Sequence, residues 1–396
     1  MNQYNSTVDL SNDSTLIKTN LILSFLIFLT MSPYIIWENQ TLILRFIHLV
    51  SNCIIVYIII KYYDFNINNK AFAVFFFAIS VYTMLAGTEV HDLSYFPILT
   101  ILFITLRPAE QLRIFNYIVT ILTIVYILGL ASYLLRLVGL NKQIGVAIAP
   151  NLWKEPYAVF FGHAEEGSLN VCRFSSIFDE AGVVGTINGL VLSAIGFSKL
   201  NVRSIVLLIA GLISFSLAFY IILFMNLLFY FNFKKVLIAF LLLFGVFFFF
   251  RDKFDDLIVS RLVIENGTIS GDNRSSQDFD QYFKILVDNG GNDLIYGKGK
   301  LTSDAEEAFE GASSYKMFIV RYGIVGAILV VVFYALFVFT NFNSRRGWFL
   351  FLIFLISAYQ RPDLLVLFNI VFFIGGIEYL KQNDIEKSLK EKSISV

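Results

Sequence analysis

RSIVLLIAGLISFSLAFYIILFMNLLFYFNFKK, Arg203–Lys235, decides how the helices of this chain are counted. Residues 204–231 carry no charge, while Lys199 and Arg203 precede them and Lys234 and Lys235 follow. Lysine and arginine in short loops mark one side of a bilayer, so the chain must cross an even number of times between the two basic pairs. The block is long for one spanning helix, which takes roughly 20 residues, and short for two. Ser214–Phe215–Ser216 supplies a break. Two short helices meeting near those serines satisfy the count, provided protein or water shields the broken backbone. One tilted helix with a misleading charge signal is the alternative.

The rest of the sequence has the same character. It is 57% hydrophobic and 15% charged, with a mean hydropathy of +0.72, against about 25% charged for ordinary globular chains. Stretches such as LILSFLIFLTMSPYIIW, Leu21–Trp37, are continuous and lack the two-residue alternation of a barrel strand. The expected fold is therefore all-α, a polytopic integral membrane protein. Apolar blocks fall near 19–36, 41–60, 71–86, 93–106, 114–135, 177–197, 204–231, 236–250, 315–340, 347–359 and 364–380. With the broken hairpin they give about 12 transmembrane helices (range about 10–12) and both termini in the cytoplasm.

Residues 1–135 then hold the N-terminal helices, 177–250 the central ones and 313–380 the last ones, with a cytoplasmic tail at 381–396. Two long segments, 136–176 and 251–312, fall outside; loops of that length are functional or disordered. FDQYFKILVDN, Phe279–Asn289, has helical spacing of Phe279, Tyr282, Phe283 and Leu286. A helix lying on the membrane surface and a small extracytoplasmic subdomain both fit it. The polar N-terminal stretch lacks a basic region before the first block and is read as a retained tail. Thirty basic and thirty acidic residues balance, which gives no hint of nucleic acid. Cys53 sits in an apolar block and Cys172 in a loop, so no disulfide is expected, and no metal-ligand spacing occurs.

Ionisable residues at membrane depth are costly and are functional candidates by default. They gather at the outer helix ends: Arg173, Asp179 and Glu180 where the first long segment re-enters, Arg251 and Arg261 at the next exit, Arg274 in the second segment, Arg321 in the following helix, and Arg361 with Asp363 in the last outer turn. Arginine's planar fork suits phosphate, and a carboxylate beside it can take a proton from a sugar hydroxyl. The combination points to a lipid-linked phosphate or diphosphate. Bland roles compete: an arginine at a helix end snorkels to headgroups, as at Arg251 or Arg361, and Asp179 is placed to cap a helix starting near Glu180.

RFSSIFDEAGVVGT, Arg173–Thr186, resembles the signature of O-antigen polymerases (Wzy-type), Arg-Phe-Ser-Gly-x-Phe-Asp-Glu-Pro-Gly-x-x-Gly-Thr, with Ser176 for the glycine and Ala181 for the proline. GASSYKMFIVRYGIVGAIL, Gly311–Leu329, is similar to the re-entry segment of the O-antigen ligase/polymerase superfamily, and YQRPDLL, Tyr359–Leu365, to the final outer turn of polymerases. Ligases usually carry a histidine before the re-entry helix; Ser313 and Ser314 stand there instead.

The resemblance implies a bacterial inner-membrane glycosyltransferase with its site on the periplasmic face, inverting and metal-independent, with no cofactor. Donor and acceptor would be undecaprenyl-diphosphate-linked oligosaccharides, with a chain-length regulator protein as a candidate partner. It moves the general base to Glu180, with Asp179 as alternate, and gives the diphosphate to Arg173, Arg261, Arg274, Arg321 and Arg361. Gly182, Gly185 and Gly189 would admit a close neighbouring helix. A polysaccharide ligase with the same donor is the rival enzyme. A lipid-linked oligosaccharide flippase is the rival outside enzymes.

Overall fold

An apolar run satisfies its backbone most simply by coiling, because each N–H then finds a carbonyl four residues back. The computed structural model describes residues 14–29, 31, 42–63, 69–85, 96–137, 162–166, 171–178, 180–196, 201–230, 264–265, 268–269, 277–299, 314–361 and 364–394. Within them every expected apolar block is helical, and the fold is all-α apart from two small hairpins. The block 236–250 lies outside the described residues. In chain order the helices are α1 Ser14–Leu29, α2 Leu42–Tyr62, α3 Lys70–Leu85, α4 Phe96–Thr105, α5 Pro108–Leu137, α6 Ala181–Ile195, α7 Val202–Ile213 and α8 Leu217–Tyr230. They continue with α9 Gln277–Asn289, α10 Asn292–Tyr296, α11 Tyr315–Asn341, α12 Arg345–Gln360 and α13 Leu367–Ile394.

Two boundaries depart from the expected ones. α1, Ser14–Leu29, starts inside the expected polar tail. α13 runs through the expected tail to Ile394. Its exposed turns are helped by Gln382, which donates to Glu386 at 3.0 Å, an i,i+4 pair.

Polar contacts between helices fix their directions. At one end, called the lower, the Tyr63 hydroxyl donates to Asn20 of α1 (2.6 Å). There too Asn69, just before α3, donates to the Ile104 carbonyl of α4 (3.0 Å). At the upper end the Tyr82 hydroxyl of α3 donates to the Tyr322 carbonyl of α11 (2.9 Å). Tyr133 of α5 packs edge-on against Phe174 there, 6.1 Å between centroids. The helices therefore run up and down between two ends, around a core in which Tyr126, Tyr334, Phe333 and Phe337 are buried. By length and composition, Pro108–Leu135 and Tyr315–Asn341 are each enough to cross a bilayer unaided; the other apolar helices are shorter or less uniformly apolar.

The stretch Arg203–Lys235 resolves into two helices. The Asn201 side chain caps α7, accepting from the Ser204 N–H at 2.8 Å. α7 ends at Ile213 with Ser214 as its C-cap, and α8 starts at Leu217. α6 packs against both. Asn188 of α6 donates to the Leu207 carbonyl of α7 (3.1 Å), and Asn226 of α8 donates to the Ser193 hydroxyl of α6 (2.7 Å). These pairings make α7 antiparallel to α6 and α8 parallel to it, so α7 and α8 form a hairpin with its apex at Ser214–Ser216. The single tilted helix is excluded. At 1.5 Å per residue the two arms are about 18 and 21 Å long, well short of a roughly 30 Å hydrocarbon layer.

Close approach at the apex needs a glycine on α6. A Cβ at Gly185 would stand 2.3 Å from the Ser216 Cβ, and one at Gly189 would stand 2.9 Å from Ile222. These two glycines therefore play the part their spacing suggested; Gly182 is half-buried.

The strands were not foreseen. β1 Gly162–Glu166 and β2 Val171–Ser176 pair antiparallel within the first long segment, with Ala164 opposite Arg173 and a bulge next to Gly162. β3 Ile264–Glu265 and β4 Thr268–Ile269 form a shorter hairpin in the second.

Replacing Gly185 by valine should force α6 and α8 apart and cost about 1–3 kcal/mol. Ile209→Val, on the exposed side of α7 (43% exposed), should stay within about 0.5 kcal/mol. Denaturant unfolding of the two purified variants measures the difference.

Candidate functional site

β2 delivers Arg173 to the hairpin apex. Residues Arg173 to Phe178 are all buried, with Phe174 against Tyr126 at 5.7 Å between centroids. Neighbouring strand residues face opposite ways, so the aromatic anchor sends Arg173 the other way, toward α7 and α8. Its Nε donates to the Ser214 carbonyl at 2.9 Å and its Nη2 to the Phe215 carbonyl at 3.1 Å. These carbonyls lie in the turn that closes α7, where a cation also meets the negative end of the helix dipole. Arg173 is only 7% exposed, so the carbonyls replace its water. Phe215 itself has φ 47°, the left-handed geometry that lets the chain reverse.

Three residues after Ile177 the strand has become a helix N-terminus. Glu180 is the N-cap of α6, extended at φ −133° and ψ 142°, and its side chain makes no capping bond. It forms an ion pair with the Nη2 of Arg361 instead. Arg361 is the C-cap of α12, its N–H bonded to the Ser357 carbonyl. The Arg361 side chain is 14% exposed and that of Glu180 43%, so the pair is withdrawn from solvent on the arginine side and open on the carboxylate side. Two residues before Arg361, Tyr359 stacks on Tyr315 at the start of α11, 4.8 Å between centroids. The Phe283 ring of α9 meets Tyr315 edge-on at 6.4 Å.

α9 has the expected helical spacing. Phe279 and Leu286 are buried against Met317 and Val320 of α11, with Tyr282 and Phe283 beside them, and Lys316 pairs with Asp280 at 2.8 Å. The apolar face of α9 thus covers the top of α11, while Ile285 and Val287 are exposed. The turn after α10 plugs a break in α11. Gly323 is non-helical inside α11, φ 68° and ψ 177°, which strands carbonyls that a continuous helix would use. Lys298 N–H donates to the Val320 carbonyl (2.8 Å) and Gly299 N–H to the Arg321 carbonyl (3.1 Å), while Tyr82 takes that of Tyr322. A Cβ on Gly323 would lie 2.3 Å from the Ile295 carbonyl oxygen. The Lys298 ammonium is held above its ordinary range by its hydrogen bond to Tyr282, with Asp293 adding to the effect against slight burial.

Of the residues nominated from sequence, Glu180 and Arg361 are in direct contact, Arg173, close to Glu180 in sequence, braces the apex, and Arg321 sits half-buried in the second turn of α11. Asp179, Arg251, Arg261, Arg274 and Asp363 lie outside the described residues. Sequence reasoning reads Gly297–Gly299 as a turn but overlooked its contact with α11, and overlooked Tyr82; the glycine at 323 inside an apolar run was the available signal. Among the described residues no three His, Cys, Asp or Glu side chains converge as a metal site requires. No family model, curated protein or solved structure matches the chain.

Ser176 has φ 52°, at the position where the polymerase signature has glycine. Left-handed geometry costs a side chain about 1–2 kcal/mol. Ser176→Gly should therefore raise stability by about 1 kcal/mol, read as an increase in the unfolding midpoint. Arg173→Met keeps the bulk but removes both donors. It should cost about 1–3 kcal/mol through the orphaned carbonyls and speed amide exchange in the turns flanking Ser214–Ser216, followed by mass spectrometry.

Proposed function

We propose that this chain is a multi-pass protein of the bacterial inner membrane that polymerises lipid-linked oligosaccharide repeat units at the periplasmic face. Support for lipid as solvent comes from apolar side chains exposed around the bundle, among them Ile60, Val74, Leu134, Phe224, Ile328 and Phe339. A water-soluble protein rarely leaves that much apolar surface uncovered. The basic short-loop residues agree: Lys61, Lys70, Arg107, Arg203 and Arg345 all stand at lower helix ends, which makes that end cytoplasmic. Helices α1–α8 and α11–α13, with the block 236–250, make up the expected twelve passes.

The observation that carries the reaction is the pairing of Glu180 with Arg361, residues distant in sequence and at the same upper end as Arg173. Arg361 holds the carboxylate in place and leaves its outer side open to an acceptor sugar. In the proposed step the acceptor hydroxyl oxygen attacks the anomeric carbon of the donor from the face opposite the diphosphate. The new glycosidic bond forms as the old carbon–oxygen bond breaks, Glu180 takes the hydroxyl proton, and undecaprenyl diphosphate departs. Arg173, committed to the apex carbonyls, positions the site. The departing diphosphate then falls to Arg321, with Arg261 and Arg274 as candidates from sequence. The motifs resembling O-antigen polymerases, and the serines where ligases have histidine, favour polymerisation over ligation.

Glu180→Gln should abolish polymer on a lipopolysaccharide gel at normal protein level, since a general base contributes about 10²–10⁴-fold. Arg361→Gln keeps the carboxylate and should shorten the ladder without abolishing it. A wild-type ladder from Glu180→Gln cells would overturn the assignment. Reporter fusions test the orientation separately: one at Gly291 should report periplasm and one at Asn201 cytoplasm.

A further inference from the structure

The lower end carries a polar cluster that the proposed reaction does not use. A cavity of about 470 Å³ opens there between the end of α8, the α11–α12 turn and the outer part of α13, lined by Phe229, Tyr230, Ser344, Arg345, Arg346 and Asp384. The Arg345 guanidinium carbon stands 4.9 Å from the centroid of the Phe229 ring, and Phe229 stacks on Phe349 at 3.8 Å and 8°. That stack holds one guanidinium at the cavity wall. Arg345 is exposed and has no acidic partner among the described residues. Arg346 pairs with Asp384, and both side chains remain about a third exposed, 31% and 38%. Two cations therefore face one acid, and the surplus charge is positive.

We infer that this cavity binds the phosphodiester headgroup of an anionic phospholipid from the leaflet at the lower end. Two planar forks match phosphate oxygens better than point charges would. The volume exceeds what a bare ion needs and falls in the range of small-molecule sites. Acyl chains have a surface to follow: Phe224 and Leu228 on α8, and Trp348 and Leu352 on α12, are exposed apolar residues on two of the helices that wall the cavity. The Trp348 Nε1–H donates to Asn343 at 2.8 Å, which fixes an indole of the kind enriched at headgroup depth. Basic pockets between helices on the cytoplasmic side are where anionic headgroups bind. The lipid as source of the phosphate rests on the membrane orientation proposed above, and not on the reaction assigned to the upper end.

Native mass spectrometry of the full chain, released from nanodiscs of equal phosphatidylglycerol and phosphatidylcholine, counts the lipid retained. The wild type should keep one phosphatidylglycerol in preference to phosphatidylcholine. Arg345→Gln should weaken that retention about fivefold, the share of one surface arginine, whereas Lys387→Gln with Lys390→Gln on the exposed turns of α13 should leave it unchanged. Asp384→Asn should strengthen it, because the carboxylate competes with phosphate for Arg346; a merely misfolded variant would not bind more tightly. Equal retention by wild type and Arg345→Gln, or weaker retention by Asp384→Asn, overturns the site. Displacement of the lipid by millimolar inorganic phosphate alone would overturn the lipid assignment. A chain inactive in polymerisation that still retains phosphatidylglycerol separates failure of the proposed reaction from failure of this site.

Discussion

An unpaired backbone carbonyl in an apolar interior costs several kcal/mol, and this fold breaks two helices where it must meet that cost. At the α7–α8 apex the stranded groups are the Ser214 and Phe215 carbonyls, and Arg173 meets both. In α11 they are the carbonyls of Val320, Arg321 and Tyr322, met by two backbone N–H groups and the Tyr82 hydroxyl. Each repair comes from a segment outside the helix it repairs. The end of β2 and the turn after α10 are therefore built into the bundle, and Arg173 reaches the upper end for a structural reason before any chemical one. Arg173 illustrates the overlap: its burial beside Glu180 in sequence follows from bracing the apex.

The helices were legible because lipid-like solvent leaves a simple mark: a run of apolar residues long enough to coil. The break at Ser214–Ser216 was legible from charge bookkeeping, since basic residues on both sides of one block demand an even crossing. β1 and β2 were not, because their pairing depends on Phe174 finding Tyr126 and Tyr133 on α5, a contact no local pattern encodes. The same holds for Glu180 and Arg361, each visible as a charge near a helix end but joined only by the packing of α6 against α12. Tyr82 escaped notice because a tyrosine in an apolar helix looks like any other core aromatic until the break opposite it is known.

The two ends divide the labour of charge. At the upper end a carboxylate and guanidinium are paired within the protein, and the pair is partly shielded. At the lower end Arg345 rests on an aromatic ring instead of an acid, and Arg346 shares its acid with solvent. A guanidinium over a π face keeps its hydrogen-bond donors available in a way that one clasped by a carboxylate does not. The two arginine sites are therefore suited to different tasks, one to holding a fixed geometry and the other to receiving an anion.

Chain order gives the broken helices a further property. Arg173 precedes the apex it serves, and Tyr82, Lys298 and Gly299 all precede the break at Gly323. Synthesis runs from the N-terminus, and domains settle in that order. Each interrupted helix is thus completed after the groups that will satisfy it have been synthesised. The costly half of each contact never waits for its partner to be made, which shortens the interval in which exposed backbone could pair with the wrong strand or chain.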